Sequence, residues 1–235
     1  MSSQPYSRGV VATTARLLTF RLTAEEFRGF RTAHLLFGLA CTWVVGVGRW
    51  WDDSRAGFLQ HLGVGSVIYV FILAGLLWCV ARPLRPKSWT YRHVLTFVAL
   101  TSPPAALYAI PVEMLYGIET ARGLNVLFLF VVASWRVALL VFYLRRHGGL
   151  SPTATAVTTL LPIVGIVCTL VMLNLEQAAF ETMGGLRGKP TANDSAYAFL
   201  TLLAVLSFLL LPVLLIIYVI VWGKARTRVN DDEEQ

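Results

Sequence analysis

SAYAFLTLLAVLSFLLLPVLLIIYVIVWG, residues 195 to 223, contains no charged side chain. A helix needs about 20 apolar residues to cross roughly 30 Å of hydrocarbon, so this stretch alone predicts a membrane span. Five further runs lie upstream, at 32–48, 62–81, 94–112, 123–144 and 150–175, and the fourth is interrupted only by Arg136. Together they predict an all-α fold: a polytopic membrane bundle of six transmembrane helices in one domain, residues 32–223. A cytoplasmic arm, 1–31, precedes it and a charged tail, 224–235, follows.

Composition supports the same solvent. Apolar residues make up 56% of the chain and charged residues 14%, with a mean hydropathy of +0.65, which leaves too little polar surface to dissolve a chain of this length. The formal charge of +7 is dispersed among short loops rather than gathered into a stripe, which argues against nucleic acid as a partner. The basic residues instead carry topology. The arm (Arg8, Arg16, Arg21, Arg28, Arg31), the second loop (Arg82, Arg85, Lys87, Arg92), the fourth loop (Arg145, Arg146) and the tail (Lys224, Arg226, Arg228) hold most of the Lys and Arg. The alternate loops hold only Arg49, Arg55, Arg122, Arg187 and Lys189. Basic loops stay cytoplasmic, so both termini are expected inside. The Ala, Arg and Leu bias suits a bacterial inner membrane.

Residues 1–20 show no apolar core followed by a small-residue cleavage site, so the first span is expected to act as its own insertion signal. Cys41, Cys79 and Cys168 fall inside spans and read as small apolar residues. Before the first span, Thr23 and Glu26 have the spacing of a capping box, with Leu22 and Phe27 at the staple positions, which predicts a helix from Ala24. Within that span Gly38, Thr42 and Gly46 recur every four residues, a smooth stripe for a packed helix or a partner. Trp50, Trp51 and Tyr91 read as interfacial anchors. Residues 176–183 are expected to form an interfacial turn ended by Gly184 and Gly185. Asp194 or Ser195 is expected to cap the last span, a better reading than glycosylation at Asn193. The tail after Asn230 reads as a disordered acidic end.

At mid-depth the pattern breaks the rules of a lipid-facing helix. Proline lacks a donor and frees the carbonyl four residues earlier, so Pro103 and Pro104 release those of Ala99 and Leu100, Pro162 releases that of Thr158, and Pro212 breaks the last span. At about 1.5 Å of rise per residue, Ser102 and Pro103 stand level with Arg136. A guanidinium in hydrocarbon costs on the order of 3 kcal/mol or more unless it reaches water or acceptors. Arg136 is therefore expected to face the interior and bond near Ala99 to Ser102, either as a staple between the third and fourth spans or as part of a polar cavity for an anion or a lipid headgroup.

Other polar residues carry less. Glu113 and Glu119 read as mouth residues; His34, His61, His93 and His147 as interfacial groups that make no ligand pair; Asp52 and Asp53 as adjacent carboxylates on different faces. No HExxH, GxSxG or phosphate loop is present. No catalytic residue, cofactor or metal site is expected.

The run Trp135–Leu144, the turn RRHGGLS (145–151) and the Ala and Thr stretch ending in Leu161 and Pro162 resemble the junction of the fourth and fifth spans in the Yip-domain family of polytopic membrane proteins. The stretch RHVLTFVALTSPP (92–104) is similar to that family's preceding span, so the likeness covers residues 92–172. It implies a polytopic protein without catalytic residues that acts through partners or lipids. Two functions follow as expectations. The first is a non-enzymatic adaptor or accessory subunit, bound to lipids and to another membrane protein or a second copy of itself. The second is a small transporter or channel built on the break around Arg136.

Overall fold

The computed structural model describes residues 9–48, 58, 62–173 and 195–233, with the side chains of Glu113 and Glu119 outside that description. The readings of Trp50, Trp51, Asp52, Asp53, His61, residues 176–185, Asn193 and Asp194, and of the Ser195 side chain, also lie outside the described residues. All regular structure among the described residues is helical: α1 (Val10–Leu18), α2 (Ala24–Arg28), α3 (Thr32–Gly48), α4 (Val64–Ala81), α5 (Tyr91–Leu100), α6 (Val112–Leu115), α7 (Ile118–Arg146), α8 (Pro152–Met172) and α9 (Ser195–Glu233). Four stretches, Val64–Leu84, Gly123–Arg146, Pro152–Met172 and Leu202–Thr227, are long and apolar enough to cross a membrane. Only 11% of the last is buried by protein, so hydrocarbon must cover the remainder.

Two of the expected spans are not full-length helices. The α3 helix has 17 residues, about 25 Å of rise. The third apolar run is broken: α5 stops at Leu100 after 10 residues, about half a bilayer core, and the chain turns into a 3₁₀ segment, Pro103–Ala109. The prolines at 103 and 104 are the reason, because neither donates into a continuing ladder. Pro212 acts differently from expectation. Both α8 and α9 run unbroken through Pro162 and Pro212. A single missing donor inside a packed membrane helix is tolerated where the neighbouring backbone stays paired. The acidic tail is likewise not disordered as expected: α9 continues to Glu233, since neither Gly nor Pro follows Gly223.

The arm is part of the bundle. Thr23 accepts from Glu26 N at 3.3 Å and Glu26 Oε2 accepts from Thr23 N at 2.8 Å, the expected capping box. Arg16 pairs with Glu26 at 3.1 Å. Burial pushes the Glu26 carboxyl up, but the bonds from Thr23 and Arg16 outweigh it and hold the group below its ordinary value. Helix α1, not expected from sequence, lays its end against α7, where Trp135 Nε1 donates to Leu18 O at 3.0 Å. Leu17, Leu22, Phe27 and Phe30 join one core with Ala74, Leu100, Leu139 and Tyr143.

The small-residue stripe closes that core. A β-carbon on Gly38 would stand 2.8 Å from the Ala99 backbone, and one on Gly46 would stand 2.8 Å from Ser66 Oγ. Gly38, Thr42 and Gly46 are all buried, so the stripe packs α3 onto α4 and α5 and is not a free partner face. Gly38→Leu forces the two backbones apart, an overpacking cost of about 1–3 kcal/mol. Its unfolding midpoint in detergent is expected to fall clearly, while Gly65→Ala, which meets nothing within 4 Å, leaves the midpoint unchanged.

Candidate functional site

The site lies where α5 ends. Thr101 N is taken by Phe97 O and Val98 O, and Ser102 N donates to Ala99 O at 3.1 Å. The Ala99 carbonyl expected to be orphaned is therefore satisfied within the turn, as short i to i+3 bonds do at helix ends. The Ser102 hydroxyl, 2% exposed, lies 2.7 Å from Thr42 Oγ1, which also donates to Gly38 O at 2.9 Å. Close approach at Gly38 brings the two hydroxyls within range.

Arg136 reaches the same hydroxyl. Its Nη2 stands 3.5 Å from Ser102 Oγ, a long contact at the limit of a hydrogen bond, and the Tyr69 and Tyr108 side chains lie in its neighbourhood. Arg136 and Ser102 thus meet as expected, through a hydroxyl in place of the freed carbonyls. Among the described residues, no carboxylate forms an ion pair with Arg136. Depth matching would have found Tyr69: it lies twelve residues before Ala81, about 18 Å from that helix end, close to the level of Arg136. Tyr108 follows the proline break, where helical counting stops working.

Thr158 and Pro162 do not join this group. Thr158 is fully buried, with no hydrogen-bond partner for its hydroxyl among the described residues. Pro162 lines a separate apolar groove of about 430 Å³, with Leu76 and Val80 of α4 and Leu211 of α9.

A second cluster sits at the C-terminal end of α7. Tyr143 stacks on Phe97 at 4.1 Å between centroids and on His147 at 5.1 Å, with Phe27 at 5.2 Å and Trp89 at 5.7 Å. His93 and His147, expected as unpaired interfacial groups, face each other at 5.7 Å. Tyr91, expected as an anchor, donates its hydroxyl to Phe71 O at 3.2 Å. The turn beneath is set by glycine. Gly149 adopts φ +64°, Leu150 N closes onto Leu144 O and Lys87 N onto Gly148 O at 3.0 Å, and Ser151 then caps α8.

No family model, no characterised protein and no solved structure matches this chain. Among the described residues, no group of His, Cys, Asp and Glu is arranged to hold a metal ion.

Burial, with the neighbouring His93, pushes His147 down to about 4, while the Ser88 carbonyl opposes the shift. The folded state therefore binds fewer protons than the unfolded one between the ordinary value of 6.5 and about 4, and stability rises with pH across that window. Thermal unfolding in detergent is expected to shift to lower temperature as pH falls from 6.5, and His147→Phe is expected to flatten most of that slope.

Proposed function

We propose that this chain is a six-span protein of a bacterial inner membrane, both termini cytoplasmic, that works as a small non-enzymatic transporter of an anion held at Arg136. One observation carries the reading. A guanidinium lies at the end of a half-length helix in the apolar layer, beside Ser102, Tyr69 and Tyr108, with no carboxylate paired to it among the described residues. A membrane cation without a counter-ion is costly, and an anionic solute would supply the missing charge. Broken helices at mid-depth are where transporters place such sites.

The adaptor reading loses its face, because Gly38, Thr42 and Gly46 are turned onto the chain's own α4 and α5. Kinship with the Yip-domain family belongs to the same proposal and adds no catalytic residue to it.

The test is solute-driven current in proteoliposomes, with chloride, phosphate and short carboxylates as probes. At least one should give a transient current. Arg136→Gln should weaken it by on the order of tenfold or more, the worth of a charge-assisted bond, and Arg136→Lys should retain part of it. No response to any probe, or an undiminished current in a folded Arg136→Gln protein, would leave the arginine as a staple only.

A further inference from the structure

At the end of α7 the arm and the span flank an open concavity of about 520 Å³ lined by Thr23, Ala24, Glu25, Arg28, Arg145 and Arg146. We propose that it is a binding site for the phosphate headgroup of an anionic phospholipid.

Charge is the first support. Three guanidiniums converge with one carboxylate, Glu25, and among the described residues none of the three arginines is in an ion pair. The nearby pair that does form, Arg16 with Glu26, withdraws that carboxylate from competition. Guanidiniums match phosphate oxygens in bidentate fashion.

Rigidity is the second. The wall carrying Arg28 is pinned by the capping box and by Phe27, fully buried against Tyr143 and Phe142. The wall carrying Arg145 and Arg146 is the last turn of a membrane helix. The cationic groups are thus presented by elements more than a hundred residues apart in sequence, held by one core.

The surroundings select a lipid over free phosphate. Val11 and Phe20 expose apolar surface on the arm, and the Phe20 ring meets Phe142 at 5.8 Å, one turn deeper than Arg145 and Arg146. A cationic rim above bare apolar side chains at a membrane boundary fits an amphiphile, with phosphate at the rim and acyl chains beside α1. This site is separate from Arg136 and does not rest on the transport reading.

The experiment is thermal unfolding of the full chain in neutral detergent, titrated with phosphatidylglycerol, phosphatidylcholine or inorganic phosphate. Phosphatidylglycerol should stabilise the protein saturably and the other two should not. Arg28→Gln should weaken the apparent affinity about fivefold, the worth of one basic residue near an anionic surface, and Arg145→Gln with Arg146→Gln should weaken it further. Glu25→Gln, which removes the opposing charge and touches no topology signal, should tighten it, and Arg136→Gln should leave it unchanged. Equal stabilisation by phosphatidylcholine, equal stabilisation by inorganic phosphate, or an unaltered affinity in Arg28→Gln would each overturn the assignment.

Discussion

A peptide backbone in hydrocarbon has no water to satisfy it, so a helix that stops halfway must be closed over by protein. The hydroxyl contact between Thr42 and Ser102, 2.7 Å long and buried, does this for the end of α5. It depends on Gly38, which lets α3 approach until a β-carbon would collide with Ala99. The freed backbone is then taken up by short bonds in the turn itself. With the break closed, the irregular stretch that follows buries Ala105 and leaves Ala106 exposed, and Arg136 has something polar to reach. Without that closure, the buried Ser102 hydroxyl would lose its close partner, at a cost of about 1–3 kcal/mol.

The C-terminal end of α7 is built by a different force. Aromatic rings from α2, α5, α7 and the second loop collect around Tyr143, and their packing ties the arm to the bundle more than any ion pair does. Membrane segments gain little from burying apolar groups against one another, because lipid tails are equally apolar. At the water boundary that balance shifts. Large flat rings find both dispersion contact and relief from water, so the densest packing is found there. By comparison α9 is bare, with only 11% of its apolar stretch buried by protein.

Much of this was legible in residue order. Charge-free runs located the long helices to within a few residues, Thr23 with Glu26 announced the α2 cap, and the paired prolines announced the break. The small-residue stripe was visible as a stripe, though its partner was not, since close approach depends on which helices neighbour each other. The Ala99 carbonyl expected to hold Arg136 was not orphaned, because the turn pairs it with Ser102 N, a local adjustment that counting from proline overlooks. Helix α1 escaped notice because nine residues make too short a run to count as a span, although their apolar side chains do gather on one face. Pro212 was read as breaking its span, yet α9 runs through it, because a helix can lose one donor and continue where two prolines in succession end it. The meeting of His93 with His147 required only that both lie at inner helix ends.

A double-mutant cycle on unfolding free energy, with Thr42→Val and Ser102→Ala made singly and together in one detergent, tests the closure of the break most directly. A buried bond between the two hydroxyls predicts a coupling of about 1 kcal/mol, the double change costing that much less than the sum of the two single changes. Strict additivity would contradict it, because the hydroxyls would then not be partners and the end of α5 would have to be closed by something else.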